Sequence, residues 1–244
     1  MTVRRAVLIT RPARQAVPFA KRLEEKGFQT LIEPMLEVLS LPFASVDIER
    51  YQAVLLTSAN AVPALEAAYS KRDITIYTVG PQTALAVQKA GFLNVRPAEG
   101  TATALIRRIQ GELESCAGPL LYLRGRSVSC PLDVQLASSG FTVDAPIVYE
   151  ALLSTAFSPA CQNALKEGRI EAVTFFSKRT ALNFMKLVEK HSLGDRLRGI
   201  KALSISKPVL ECVQAENWLE TYAAQTPDRD GMVNLVGSVC VQAG

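Results

Sequence analysis

The most constraining feature of this chain is an internal repeat laid over a regular alternation of short apolar runs and amphipathic stretches. The runs are Ala6–Thr10, Gln29–Glu33, Ala53–Thr57, Ile74–Val79, Leu120–Leu123, Thr142–Val148, Ala172–Phe176 and Ala202–Ile205. Each is four to seven residues long and bounded by Gly, Pro, Ser or Asn, the signature of strands buried on both faces of a parallel sheet. Between them lie helical periodicities: Val17, Phe19 and Leu23 within about 13–26; Ala61, Leu65, Ala68 and Tyr69; and Leu182, Met185 and Val188. Buried strands alternating with helices require right-handed crossovers, and therefore doubly wound sheets.

The repeat then dictates how those sheets are assembled. Residues 6–37 align without a gap on 119–150, an offset of 113 that superposes Arg11 on Arg124, Leu23 on Leu136, Gly27 on Gly140, Phe28 on Phe141 and Glu37 on Glu150. Residues 53–65 align on 172–184, and 76–95 on 202–221. The first unit thus occurs at the start and in the middle, while the other two occur in the middle and at the end. Two equal domains of three units each cannot be consecutive in such a chain. The expectation is an α/β protein of two similar doubly wound parallel-sheet domains, the first discontinuous (1–35 and 153–244) and the second 43–147. Residues 36–42 and 148–152 are expected to cross between them as linker strands, paired as a two-stranded β-ladder that acts as a hinge. The competing architecture is one continuous sheet of eight or more strands, which would leave the repeat without a reason.

Composition narrows the chemistry. The chain is 48% hydrophobic and 20% charged, so it can bury a core. A net charge of +4 is too small to argue for nucleic acid, and basic residues are not interleaved with aromatics for base stacking, but it suits an acidic ligand if the cations cluster. No apolar run approaches the roughly 20 residues of a membrane span, and Ala6–Thr10 is too short for a signal-peptide core; a cytoplasmic protein is expected. Five scattered cysteines without a C-x-x-C read as reduced thiols. The single histidine, His191, removes most zinc sites, and the Ser-His-Asp and Cys-His machinery too unless His191 itself serves; in its polar stretch it reads as an exposed loop residue. Glu33, Glu37 and Glu150 read as solvated or paired edges, and Cys212 and Trp218 as core. Neither a P-loop nor a G-x-G-x-x-G is present.

In doubly wound sheets ligands bind beyond the carboxyl ends of the strands. The residues there are Thr10-Arg11-Pro12, Thr57-Ser58-Ala59-Asn60, Gly80-Pro81-Gln82-Thr83, Arg124-Gly125-Arg126-Ser127, Ser177-Lys178-Arg179-Thr180 and Ser206-Lys207-Pro208. Taken singly, their hydroxyls are ordinary helix N-caps. Taken together, six helix starts and the cations Arg11, Arg124, Arg126, Lys178, Arg179 and Lys207 describe a site for a polyanion large enough to touch both domains. Tyr149, at the entrance to a crossing, either directs its hydroxyl into that cleft or packs its ring at the hinge.

These strand-end segments resemble the uroporphyrinogen-III synthase family. The resemblance is carried by LITRP (8–12), LLTSANAV (55–62), TVGPQTALAVQKAGF (78–92), LYLRG (121–125), GFTVDAPIVYEA (140–151), VTFFSKRTA (173–181) and TPDRDGMVNLV (226–236), in order over nearly the whole length. It implies a lyase acting on hydroxymethylbilane, a linear tetrapyrrole with eight carboxylates. Its terminal hydroxyl leaves as water, and the ring closes with the last pyrrole inverted, through a spiro-pyrrolenine, to give uroporphyrinogen III on the route to heme. The resemblance implies no cofactor, no metal, no nucleic-acid or membrane partner, and a monomer. Tyr149 matches the family tyrosine that assists loss of the hydroxyl. Arg11, Thr57, Ser58, Thr83, Arg124, Ser177, Lys178, Ser206 and Lys207 are the expected substrate-binding residues. Where the family's C-terminal repeat often reads G-P-T-T, this chain has Ser206-Lys207-Pro208-Val209, so the second threonine hydroxyl is missing and Ser206 or Lys207 would substitute. The competing class is a non-enzymatic two-domain polyanion-binding protein; a phosphosugar isomerase would want a Glu or His base at the cleft, and none is placed there.

Overall fold

A computed structural model describes residues 5–43, 46–128, 130–214 and 216–240. In chain order the strands are β1 (Ala6–Ile9), β2 (Gln29–Ile32), β3 (Leu36–Ser40), β4 (Ala53–Leu56), β5 (Ile76–Thr78), β6 (Val95–Pro97), β7 (Leu120–Tyr122), β8 (Arg124–Gly125), β9 (Val143–Asp144), β10 (Ile147–Leu153), β11 (Ile170–Phe175), β12 (Lys201–Ser204) and β13 (Glu220–Ala223). The α-helices are α1 (Ala13–Glu24), α2 (Val62–Ala68), α3 (Pro81–Lys89), α4 (Ala102–Glu112), α5 (Leu132–Ala137), α6 (Pro159–Lys166), α7 (Lys178–Lys190), α8 (Lys207–Leu210) and α9 (Arg229–Val239).

One five-stranded sheet has the order β13-β12-β11-β1-β2 and another the order β6-β5-β4-β7-β9; every pairing given for them is parallel. The two orders match position by position, and the matching strands are those the repeat pairs: β1 with β7, β2 with β9, β11 with β4, β12 with β5, β13 with β6. The chain divides into two compact units, one ending at Glu37 and resuming at Leu152, the other Val38–Ala151.

In the first unit, hydrophobic clusters cover both sheet faces. Phe175, Phe184, Trp218 and Phe157 form an aromatic group on one side, with ring centroids 5.3–6.1 Å apart, and the Trp218 indole N–H donates to the Val213 carbonyl (3.0 Å). Phe19, Leu23, Met232 and Val236 from α1 and α9 cover the other. Val17 and Leu182, read as core-facing, are instead exposed. In α7 the buried stripe is Ala181, Phe184, Leu187 and Val188, because placing Phe184 inward removes more apolar area from water than placing Leu182 there. In the second unit Leu55, Tyr77, Leu105 and Tyr122 fill one side of the sheet and Val54, Leu56, Val87 and Leu121 the other.

Several expectations are corrected. The run Thr142–Val148 is two strands, β9 and β10, interrupted before Ile147 where Pro146 cannot donate to a ladder. The expected two-stranded ribbon is a three-stranded sheet, order β3-β10-β8, because the chain after Leu123 continues extended instead of turning into a helix. Arg124-Gly125-Arg126-Ser127 therefore does not start a helix; the next one, α5, begins only at Leu132. His191 is not an exposed loop residue. It is half-buried at the end of α7, its ring 5.7 Å from that of Phe157. Glu33 is 5% exposed and accepts from the Ser158 N–H (2.7 Å) and hydroxyl (2.6 Å), tying the end of β2 to the start of α6.

Candidate functional site

Parallel strands bring all their carboxyl ends to one edge, where successive helix starts leave backbone N–H groups free. In the second unit that edge carries Thr57 and Ser58 after β4, Thr83 in the first turn of α3, Arg124 in β8 and Tyr149 in β10. The 3-10 turn Ala59–Ala61 after Ser58 packs against both α3 and β8.

A hydroxyl cluster lies at its centre. Tyr122 ends β7 with its ring in the core, 1% exposed, and its hydroxyl reaches 3.2 Å from Thr57 Oγ1. Burial raises the Tyr122 pKa; the Thr57 bond and the Arg124 charge work against that, while Tyr149 adds to it. Tyr122 is a candidate site residue that sequence reasoning missed.

Tyr149 is half-buried, and the hydroxyl end of its ring lies over Gly125. The two residues are register partners of β10 and β8, and the Arg126 N–H donates to the Tyr149 carbonyl (3.0 Å). A Cβ on Gly125 would stand 2.7 Å from Cε2 and Cζ of the tyrosine and 2.9 Å from its oxygen, so glycine is what allows the ring to rest there. The Tyr149 hydroxyl has no hydrogen-bond partner among the described residues and is available as a donor. Arg124 is anchored by its own backbone surroundings: Nε donates to the Ala145 carbonyl (3.2 Å) and Nη1 to that of Gly125 (3.5 Å). Arg126 is paired with Glu150 (3.0 Å). Ser58 accepts from the Asn60 N–H (3.2 Å), and Thr83 is buried.

The corresponding edge of the first unit carries Arg11, Ser177, Lys178, Ser206 and Lys207. The Arg11 guanidinium stacks 4.0 Å above the Phe176 ring and donates from Nη2 to Gln15 (2.9 Å). Burial, with repulsion from Arg229, lowers its pKa to about 10. Ser177 caps α7, accepting from the Thr180 N–H (3.2 Å), so its oxygen is partly committed to the helix. Lys178 and Lys207 are exposed first residues of α7 and α8. Ser206 stands at the cap position of α8 without a side-chain capping bond, leaving its hydroxyl open. Val209 is buried in the core, so an apolar contact occupies the place of the missing threonine.

Among the described residues, no three His, Cys, Asp or Glu side chains cluster as metal ligands would, and no helix is long and apolar enough to cross a membrane. A cavity of about 430 Å³ in the first unit lies at the opposite, amino-terminal edge of its sheet, against Ala6, Gln29 and Arg169.

The family model described as uroporphyrinogen-III synthase HemD matches residues 17–234. The chain is 26% identical to the uroporphyrinogen-III synthase of Chlorobaculum parvum, over 80% of this chain and 83% of that protein. It is 27% identical to that of Synechococcus elongatus, over 82% of each. In fold it is similar to the crystal structure of uroporphyrinogen-III synthetase from Helicobacter pylori (TM-score 0.63, 23% identity, 96% of this chain and 99% of that one). A mutant uroporphyrinogen III synthase from Thermus thermophilus is similar at TM-score 0.52, with 19% identity over 96% and 98% of the two chains. With nearly nine-tenths of its length matched by the family model, this chain belongs to the uroporphyrinogen-III synthase family.

Proposed function

We infer that the protein catalyses the cyclodehydration of hydroxymethylbilane to uroporphyrinogen III, acting as a cyclizing hydro-lyase in tetrapyrrole and heme biosynthesis. The observation that carries this reading is the pairing of the family match over 17–234 with an unpartnered tyrosine hydroxyl, Tyr149, held over Gly125.

The chemistry asks little of a protein in covalent terms. The pyrrole nitrogen of the substrate can expel the terminal hydroxyl itself. What remains is to hold a flexible polycarboxylate in a ring-closing shape, to protect the cationic azafulvene that results, and to give a proton to the departing oxygen. In this reading Tyr149 is that donor. Arg11, Arg124, Lys178 and Lys207 attract carboxylates, and Thr57, Ser58, Thr83, Ser177 and Ser206 supply short hydrogen bonds among the backbone N–H groups of the helix starts. We further propose that residues 1–35 with 153–244 and residues 43–147 behave as two domains, with 36–42 and 148–152 as the hinge. In this reading the enzyme works in the cytoplasm as a monomer without a cofactor. The product assay is decisive: freshly prepared hydroxymethylbilane is supplied, the product is oxidised, and the type I and type III isomers are separated.

A further inference from the structure

Tyr122 and Thr57 form a hydroxyl pair that the sheet itself does not require. They stand at the carboxyl ends of the neighbouring strands β7 and β4, with their side-chain oxygens 3.2 Å apart. The alignment of 6–37 on 119–150 puts Ile9 where Tyr122 stands, and that of 53–65 on 172–184 puts Phe176 where Thr57 stands. The strand registers agree: Tyr122 is paired with Leu55, and Ile9 with Thr174, the repeat equivalent of Leu55. In the first unit the same corner is therefore apolar. Ile9 is buried there, and Phe176 carries the Arg11 guanidinium 4.0 Å from its ring centre. The fold is built at that place without a hydroxyl.

Burial gives the pair a direction. The Tyr122 ring is fixed in the core, so its hydroxyl has one place to be, whereas Thr57 is half-buried at the strand end. The raised pKa of the buried phenol keeps its proton on at neutral pH. A phenol is the more acidic hydroxyl and the stronger donor of the two, so Tyr122 donates and Thr57 accepts. The Thr57 proton is then left over, and it has no other partner among the described residues. A free threonine hydroxyl turns among three staggered positions. Accepting from a fixed phenol removes the one that points at Tyr122 and polarises the remaining O–H.

We propose that Tyr122 is a positioning residue, which aims the Thr57 hydroxyl at a carboxylate of the substrate. The inference rests on the proposed function for the identity of that substrate.

The test measures KM, kcat and Tm for wild type, Tyr122→Phe, Thr57→Val, the double variant and Tyr77→Phe, with fresh hydroxymethylbilane as substrate. Tyr77 is the control: it is a buried tyrosine of the same sheet, 2% exposed, whose hydroxyl donates to Glu112 (3.0 Å) and to no strand-end hydroxyl. Thr57→Val is expected to raise KM about tenfold, the range of a lost bond to a charged group. Tyr122→Phe keeps the ring and is expected to raise KM about threefold, the loss expected when one staggered position in three is productive. Its kcat should stay within about twofold of wild type. Beside Thr57→Val, the further change from Tyr122→Phe should be under about 1.5-fold. Thr57→Ser, which keeps the hydroxyl, should stay near wild type and remain sensitive to Tyr122→Phe. Tyr77→Phe should lower Tm and leave KM alone. An unchanged KM in Tyr122→Phe, a rise that persists in full beside Thr57→Val, or an equal rise in Tyr77→Phe would overturn the proposal. Fluorescence titration of uroporphyrin III, the stable oxidised octacarboxylate of the product, separates this from failure of the functional reading. A wild type that does not turn over hydroxymethylbilane, yet binds uroporphyrin III with the same coupling between the two hydroxyls, would keep the positioning pair and remove its assigned reaction. A folded wild type that neither turns over the one nor binds the other would overturn both.

Discussion

Gly125→Ala should disable Tyr149 without touching it. The glycine backbone lies outside the left-handed region, so alanine fits the chain there without strain. The difficulty is purely in the space above it. The new Cβ would stand 2.7 Å from two carbons of the Tyr149 ring, where ordinary contact begins at 3.4 Å, so the ring end must retreat by about 0.7 Å or swing away. The ring is the far end of a side chain with free torsions, so the displacement is cheap in stability. Replacing a strand glycine also removes unfolded-state entropy worth about 0.5–1 kcal/mol, so Tm should hold or rise. Catalysis has no such tolerance. A misplacement of about 1 Å can cost about 10²-fold in rate, and loss of a general acid about 10²–10⁴-fold. The pyrrole nitrogen already drives expulsion, so the low end applies, and kcat should fall about 10²-fold with little change in KM. Initial rates on fresh hydroxymethylbilane, for both single variants and for Gly125→Ala in a Tyr149→Phe background, complete the cycle. The double variant should be no slower than Tyr149→Phe alone. Wild-type rates in Gly125→Ala, or a further loss on top of Tyr149→Phe, would refute the idea that the glycine acts by seating this hydroxyl.

Tyr149→Phe itself should fold normally, lose about 10²-fold in kcat, and still yield mainly the type III isomer, because substrate shape governs inversion. The apparent KM should rise with ionic strength, since Lys178 and Lys207 are exposed and charges in water are screened over about 8 Å at physiological salt. Charge reversal at either position should raise it more than truncation to Ala. Glu33→Ala strips a buried carboxylate from the Ser158 N–H and hydroxyl and should cost about 1.5–3 kcal/mol in urea unfolding, leaving kcat unchanged. Alkaline pH should destabilise the fold. Burial pushes the Cys240 thiol up to about 12 and that of Cys161 higher still, against 9.0 for an exposed thiol. Above pH 9 the unfolded chain therefore releases protons that the native state keeps, and the stability present below that pH is lost as pH rises toward 12. Urea midpoints at successive pH values test the sign.

The central strands were legible because a strand buried on both faces must be apolar throughout. β1, β4, β7, β11 and β12 fall on runs seen in the sequence, each within a residue or two of its bounds. β6 and β13 were not, because each lies at the edge of its sheet, and the half-exposed Val95-Arg96-Pro97 or Glu220-Thr221-Tyr222 needs no apolar pattern. The helix faces in α1 and α7 were ambiguous because Val17 and Leu182 also satisfy a helical period, and only packing chooses between adjacent stripes. At the site, residues directly after strands could be read from spacing. Tyr122 could not: within the run Leu120–Leu123 it looks like filler, and only the fold shows its hydroxyl meeting Thr57 across two neighbouring strands.

The isomer composition of the product tests the central claim most directly. Hydroxymethylbilane left alone closes to the uninverted type I ring, so the enzyme must redirect a reaction that proceeds without it. With catalytic protein present, and with spontaneous closure measured in parallel, the account predicts that type III becomes the dominant isomer in proportion to enzyme added. A type I product formed at the spontaneous rate, with protein shown to be folded by its melting transition, would contradict it.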